Sequence, residues 1–194
     1  MNMNSNHLFA LLIIDVQQGF EDKRWGKRNN PNAEENIYIL LKIWRAKQWP
    51  IIHVQHISTN SHSPLAANSK GVSFKEIVKP LEGEVIIQKK VNSAFIGTNL
   101  EQYLKEHGIH HVVITGLTTP HCVSTTTRMS GNLGFNTYLV SDATAAFGLK
   151  GPDGVYYDAD QIHVISLATL HGEFATVLTT EELIDFIEKS HSMN

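Results

Sequence analysis

The chain is nearly without cysteine: among 194 residues there is one, Cys122. A single thiol cannot close an internal disulfide, so nothing calls for an oxidising compartment, and no CxxC pair exists for thiol redox exchange. Charge of one sign is missing too. Lys and Arg number 16 against 19 Asp and Glu, for a formal net charge of -3 with the two signs interspersed. That balance leaves no electrostatic footprint for nucleic acid or an anionic membrane. Long hydrophobic runs are also lacking. The most apolar stretch, Leu8 to Ile14, is closed by Asp15 and falls well short of the roughly 20 residues of a membrane helix. The opening MNMNSNH carries neither the basic segment nor the long apolar run of a secretory signal. These absences point to a cytoplasmic protein whose partner is a small uncharged or mildly polar molecule, with no nucleic acid and no membrane. With 42% hydrophobic residues and no break in composition, internal repeat or low-complexity tract, residues 1–194 read as a single domain with its own core.

What is present is an alternation of short apolar runs and longer amphipathic stretches. Strands are expected at Leu8 to Val16, PIIHVQH, EVIIQK, HHVVIT, NTYLVSD and FATVLT. Helices are expected over Asn32 to Lys47, Thr98 to Glu106, Val123 to Asn132, Asp158 to Leu170 and Thr180 to Lys189. Such alternation predicts an α/β fold of three layers, α/β/α, around a mainly parallel six-stranded sheet of Rossmann-like type. Sites in that architecture lie beyond the carboxyl ends of the strands. The loops at residues 21–30 and 58–71, polar and rich in Asn and Ser, are expected to border the site.

Three chemically capable residues sit at strand ends. Cys122 closes GLTTPHC directly after HHVVIT, a strand expected to break at Gly116 and restart as a helix near the cysteine, which would present the thiol among backbone N–H groups. A helix N-terminus lowers a thiol's pKa and raises its thiolate fraction; the alternative for a lone cysteine is a small buried apolar residue. Asp15 closes LFALLII, and Lys89 and Lys90 close EVIIQKK pointing to opposite sides. An acid, a base and a thiol thus reach one rim. There an ammonium depresses a thiol's pKa and a carboxylate takes its proton.

The segments LLIIDVQQGF, KKVNSAFIGTNL and VVITGLTTPHCVSTTTRMSGNLGFNTYLVSDATAAF, in this order and spacing, resemble the isochorismatase-like cysteine hydrolases. That group includes nicotinamidases, N-carbamoylsarcosine amidase and related amidases, and the resemblance runs from about Leu8 to Leu183. It implies a catalytic triad of Asp15 as general base, Lys89 and the nucleophile Cys122. Lys89 is preferred because the family lysine stands four residues before the Ser of a SAF-type motif, here Ser93; Lys90 is then a solvated charge. The resemblance also implies a non-proline cis peptide bond joining Leu117 to Thr118, which turns the Thr118 N–H toward the same point as the Cys122 N–H to form an oxyanion hole. The reaction implied is hydrolysis of a C–N bond in a small amide, carbamoyl or ring-amide substrate through a thioester, with no cofactor.

The chain departs from the nicotinamidase branch, which holds a metal through an Asp and a His two residues later. Val54 stands two residues before His56, and His53 and His56 should face opposite sides of a strand, so no metal is expected. Phe20, Trp25, His56, Phe95, Thr119, His121 and Phe147 are candidates for substrate binding, with Asn92 a similar wager; core packing is the competing role for each aromatic. A vinyl ether hydrolase of isochorismatase type, and a non-catalytic binding protein on the same fold, are the alternatives. Many relatives form dimers or tetramers, which implies a homo-oligomer to which ATAAFGLKGPDGVYYD could contribute.

Overall fold

The computed structural model describes residues 8–192; the Met1–His7 segment, expected to carry no secretory signal, lies outside the described residues. In chain order the main elements are β1 (Phe9–Ile14), α1 (Ala33–Lys47), β2 (Ile51–His56), β3 (Val85–Lys89), α2 (Leu100–Glu106), β4 (His111–Leu117), α3 (Ser124–Asn132) and β5 (Asn136–Ala145). They continue with a short hairpin of β6 (Leu149–Lys150) and β7 (Tyr156–Tyr157), then α4 (Ala159–Ala168), β8 (Thr176–Leu178) and α5 (Thr180–Ser192).

Six strands form one sheet in the order β3-β2-β1-β4-β5-β8, and every pairing in it is parallel. The central strand β1 is buried at all positions, as a strand covered on both faces must be. Its alternation divides the interior. Ala10, Leu12 and Ile14 join Ile52, Val54 and Ile87 beneath Leu100 and Leu104 of α2. Phe9, Leu11 and Ile13 face Ile37, Leu40, Leu41 and Trp44 of α1 and Leu183 and Ile187 of α5. Each large apolar side chain so buried contributes about 1.5–3 kcal/mol. The helices therefore cover the sheet on both sides, as the alternation predicts. Among the described residues, no helix is long and apolar enough to cross a membrane.

The structure corrects the expected boundaries where β4 ends. The strand does not break at Gly116 but runs on to Leu117, while β5 extends to Ala145 with a register shift opposite Ile114 and Gly116. Gly116 has φ +115, and a Cβ there would lie 2.0 Å from the Ile14 carbonyl oxygen. Only glycine lets β4 press against the end of β1 at this point. The turn that follows, Thr119–Val123, is a single π-helical turn, and the regular helix starts at Ser124. Such one-turn π segments are frequent at functional sites.

Candidate active site

β1 and β4 are neighbours, yet the chain leaves β1 toward β2 and β3 on one side and returns to β4 on the other. This reversal opens a crevice beyond the strand ends. Four strand ends deliver polar side chains to it: Lys89 from β3, His56 from β2, Asp15 after β1 and Cys122 after β4. His56 and Lys89 are register partners, and they lie on the same sheet face as Val54 and Ile87. Asp15 has φ 52, a left-handed conformation that Asp tolerates better than most residues. It ends β1 while its N–H still donates to the Val54 carbonyl at 2.9 Å.

The structure brings the expected trio together. Lys89 Nζ lies 2.6 Å from Asp15 Oδ2 and 3.0 Å from His56 Nδ1, and the side chains of Lys89 and Asp15 have no solvent exposure. The Cys122 sulfur lies within 4.8 Å of a carboxylate oxygen of Asp15, close enough for the charges of Asp15 and Lys89 both to act on the thiol, while Asp15 Oδ1 is buried without a formed hydrogen bond. Lys90 is exposed, as expected. His53 points away: its Nε2 is 2.8 Å from Glu84 Oε2 on the α1 side of the sheet. Ligand atoms of Asp15, His56 and Cys122 lie within 4.8 Å of one another, near enough to suggest a metal. However, the Lys89 ammonium already stands against two of the three, so the positive charge at this point is the lysine's own.

The electrostatics correct one expectation. Rather than being depressed, the Cys122 pKa is pushed up to about 12, because burial and then the neighbouring Asp15 charge outweigh Lys89. Burial also raises the Asp15 carboxyl above its ordinary value, against the opposing pull of Lys89. Cys122 is therefore held as a thiol beside a carboxylate of raised basicity. Burial, with Lys89 next in importance, holds His56 down at about 4, so its ring is neutral near pH 7. His121 is likewise lowered by burial.

The peptide bond between Leu117 and Thr118 is cis. The Thr118 carbonyl accepts from the N–H groups of His121 and Val123 at 3.1 and 3.3 Å, which fastens the turn around Cys122. Thr118 Oγ1 also lies 3.0 Å from His121 Nδ1.

Cys122 and Thr118 open onto a cavity of about 420 Å³. One wall is aromatic: the rings of Phe20, Trp25 and Phe147 pack with centroids 5.4, 5.9 and 6.3 Å apart, and Leu65 and Leu149 extend it. The Trp25 Nε1–H is spent on the Gly19 carbonyl at 2.8 Å. Among the described residues that line it, Arg24 is the one with a permanent charge. It is engaged by Asp22 at 3.1 Å and by the His62 carbonyl at 2.9 Å. His56, His121 and Asn92 also line the cavity.

Two of the substrate-binding candidates stand elsewhere. Phe95 stacks on Phe135 at 6.0 Å and borders a separate groove along β3, because its backbone lies where the chain turns under α2. Thr119 is fully buried behind the cavity, its Oγ1 2.9 Å from His163 Nδ1. His163 meets Asn30 at 3.3 Å, and Asn30 in turn donates to the carbonyls of Ser141 and Thr144. Sequence reasoning does not find this buttress behind the Cys122 turn, since one histidine in a helix of mixed polar and apolar residues and an asparagine in a loop carry no local signal. Leu65 and Ser63 were foreseen only as part of a loop expected to border the site.

An isochorismatase domain model matches residues 9–182 of the chain. Over 182 residues the chain is 63% identical to YrdC, an uncharacterised isochorismatase family protein of Bacillus subtilis, covering 94% of this chain and 97% of that protein. It is 26% identical over 192 residues to Nicotinamidase 3 of Arabidopsis thaliana, covering 92% and 88% respectively. A crystal structure of a hydrolase of the isochorismatase family from Chromobacterium violaceum superposes with a TM-score of 0.91 at 38% identity, covering 97% of each chain.

Proposed function

The chain belongs to the isochorismatase family of hydrolases, which includes amidases acting on C–N bonds, and on that footing we propose that it hydrolyses a small amide-like substrate through a Cys122 thioester. One observation carries the reading: a buried carboxylate and ammonium, 2.6 Å apart, meet the thiol at the floor of a cavity. Asp15 accepts the thiol proton as Sγ attacks the substrate carbonyl carbon, and the oxyanion so formed accepts from the N–H groups of Thr118 and Cys122. Asp15 then passes that proton to the leaving nitrogen, the C–N bond breaks, and the acyl group stays on sulfur. Water gives a proton to Asp15 and attacks the thioester; the acid leaves, and the thiol recovers its proton. Lys89 holds the carboxylate ionised until the thiol proton arrives.

The cavity favours a neutral substrate with an apolar flank. Phe20, Trp25 and Phe147 supply flat apolar surface, and Arg24 at the rim is partly neutralised by Asp22 at 3.1 Å. Ammonia release from a panel of amides, carbamoyl compounds and ring amides tests the proposal. Turnover of at least one is expected in the wild type and none in Cys122→Ala, with the melting temperature retained; activity preserved in Cys122→Ala would refute it.

A further inference from the structure

We propose that His56, pinned by Gln17, is a positioning residue that holds the Lys89 ammonium against Asp15; this rests on the triad reading above. β3 and β1 are separated by β2, so their ends lie two strand spacings apart, roughly 9.6 Å. Lys89 must therefore cross the end of β2 to reach Asp15, and the residue at that end is His56, its register partner. The imidazole Nδ1 accepts from Lys89 Nζ at 3.0 Å. One ammonium proton is thus spent on the imidazole and one on Asp15, which leaves the third for the thiol side, where Lys89 also interacts with Cys122. A flexible four-carbon stem would otherwise sample several rotamers; a second, well-placed acceptor selects one.

The backbone that carries the imidazole is fixed from behind. Gln17 has no solvent exposure. Its Oε1 accepts from the His56 N–H at 2.9 Å, and its Nε2 donates to the His56 carbonyl at 3.0 Å and to the Val72 carbonyl at 2.7 Å. Both main-chain groups of His56 are therefore closed by one side chain only two residues beyond Asp15. With Nδ1 accepting, the ring proton resides on Nε2. The chain Gln17, His56, Lys89, Asp15 connects the ends of β1, β2 and β3 in one hydrogen-bonded series.

The test compares His56→Ala with His56→Asn, since an asparagine Oδ1 stands close to where the imidazole Nδ1 stood. On an amide turned over by the wild type, His56→Ala should lose roughly 10- to 100-fold in kcat, the range for deleting a hydrogen bond to a charged group, with KM little changed, and His56→Asn should recover most of it. An Asn variant as impaired as the Ala variant, or a loss confined to KM, overturns the proposal. A second readout needs no substrate. The ¹⁵N-detected ammonium signal of Lys89, assigned by its loss in Lys89→Met, should be protected from exchange in the wild type, broadened in His56→Ala and restored in His56→Asn. An unchanged signal in His56→Ala also overturns it. If no amide is hydrolysed by any form, the amidase reading fails while the ammonium signal still decides the role of His56.

Discussion

Lys89 Nζ lies 2.6 Å from Asp15 Oδ2, and neither side chain reaches solvent. Removing one partner of such a pair strands a buried charge, at a cost of about 3–5 kcal/mol, whereas removing both can be nearly neutral. Urea denaturation should therefore show Lys89→Met and Asp15→Asn each destabilised by several kcal/mol, and the double variant substantially restored. All three should be inactive. A double variant whose destabilisation is the sum of the two singles would contradict the pairing.

The pH dependence of kcat/KM follows from which groups must be charged. Asp15 has to be ionised to take the thiol proton, and burial raises its pKa. Activity should therefore fall on the acid side at a pH above the ordinary carboxylate range. The thiol stands at about 12, so no alkaline limb should appear near pH 8 to 9, where an ordinary thiol ionises. Alkylation by iodoacetamide provides the companion measurement. Below pH 9, Cys122 should react more slowly in the folded protein than in the urea-unfolded chain. Faster labelling of the folded form at neutral pH would mean that a thiolate rests in the site.

Stability should decline in acid in two stages. Burial lowers the pKa values of His53, His121 and His163 below 6.5, and that of His56 to about 4. These rings stay neutral in the folded state but take up protons when unfolded, so their contribution is present above about pH 6.5 and drains away below it. Glu34, held by Arg28 and Lys75, and Glu84, held by Arg45, the Leu81 N–H and His53, sit at about 2. Their contribution is complete above pH 4.5 and is lost as the pH falls from there through 2. Asp15, raised by burial, acts in the opposite sense as a single group. Melting temperatures measured from pH 8 to pH 4 should drop first between 7 and 5 and again below 4.5; a flat profile from 7 to 5 would contradict the neutral, buried histidines.

Much of this was readable in the chain, and the reasons are local. The run Phe9 to Ile14 announces a strand covered on both faces, because it offers apolar side chains at both parities. The residues that close such runs, Asp15 and Lys89, fall at the strand ends where a parallel fold gathers its chemistry. Three features were not legible because they depend on what lies across space. The direction of the Cys122 shift turns on burial and on the distance to Asp15, neither of which sequence spacing encodes. Phe95 sits within a matching segment yet faces α2, so its place was decided by packing against Phe135. Gly116 reads as a strand breaker, whereas it is the position at which β4 approaches Ile14 too closely for any Cβ. Gln17 was in view throughout, inside LLIIDVQQGF, but its partners lie in β2 and near Val72, and nothing in the local pattern points there.

The most direct test of the central claim is to look for the acyl group on sulfur. Wild-type protein mixed with a substrate amide and quenched in acid within one turnover should show, by mass spectrometry, a mass increase equal to the acyl group on the peptide containing Cys122, decaying at the rate of acid release. Steady turnover with no such adduct, together with undiminished turnover by Cys122→Ala, would contradict the account.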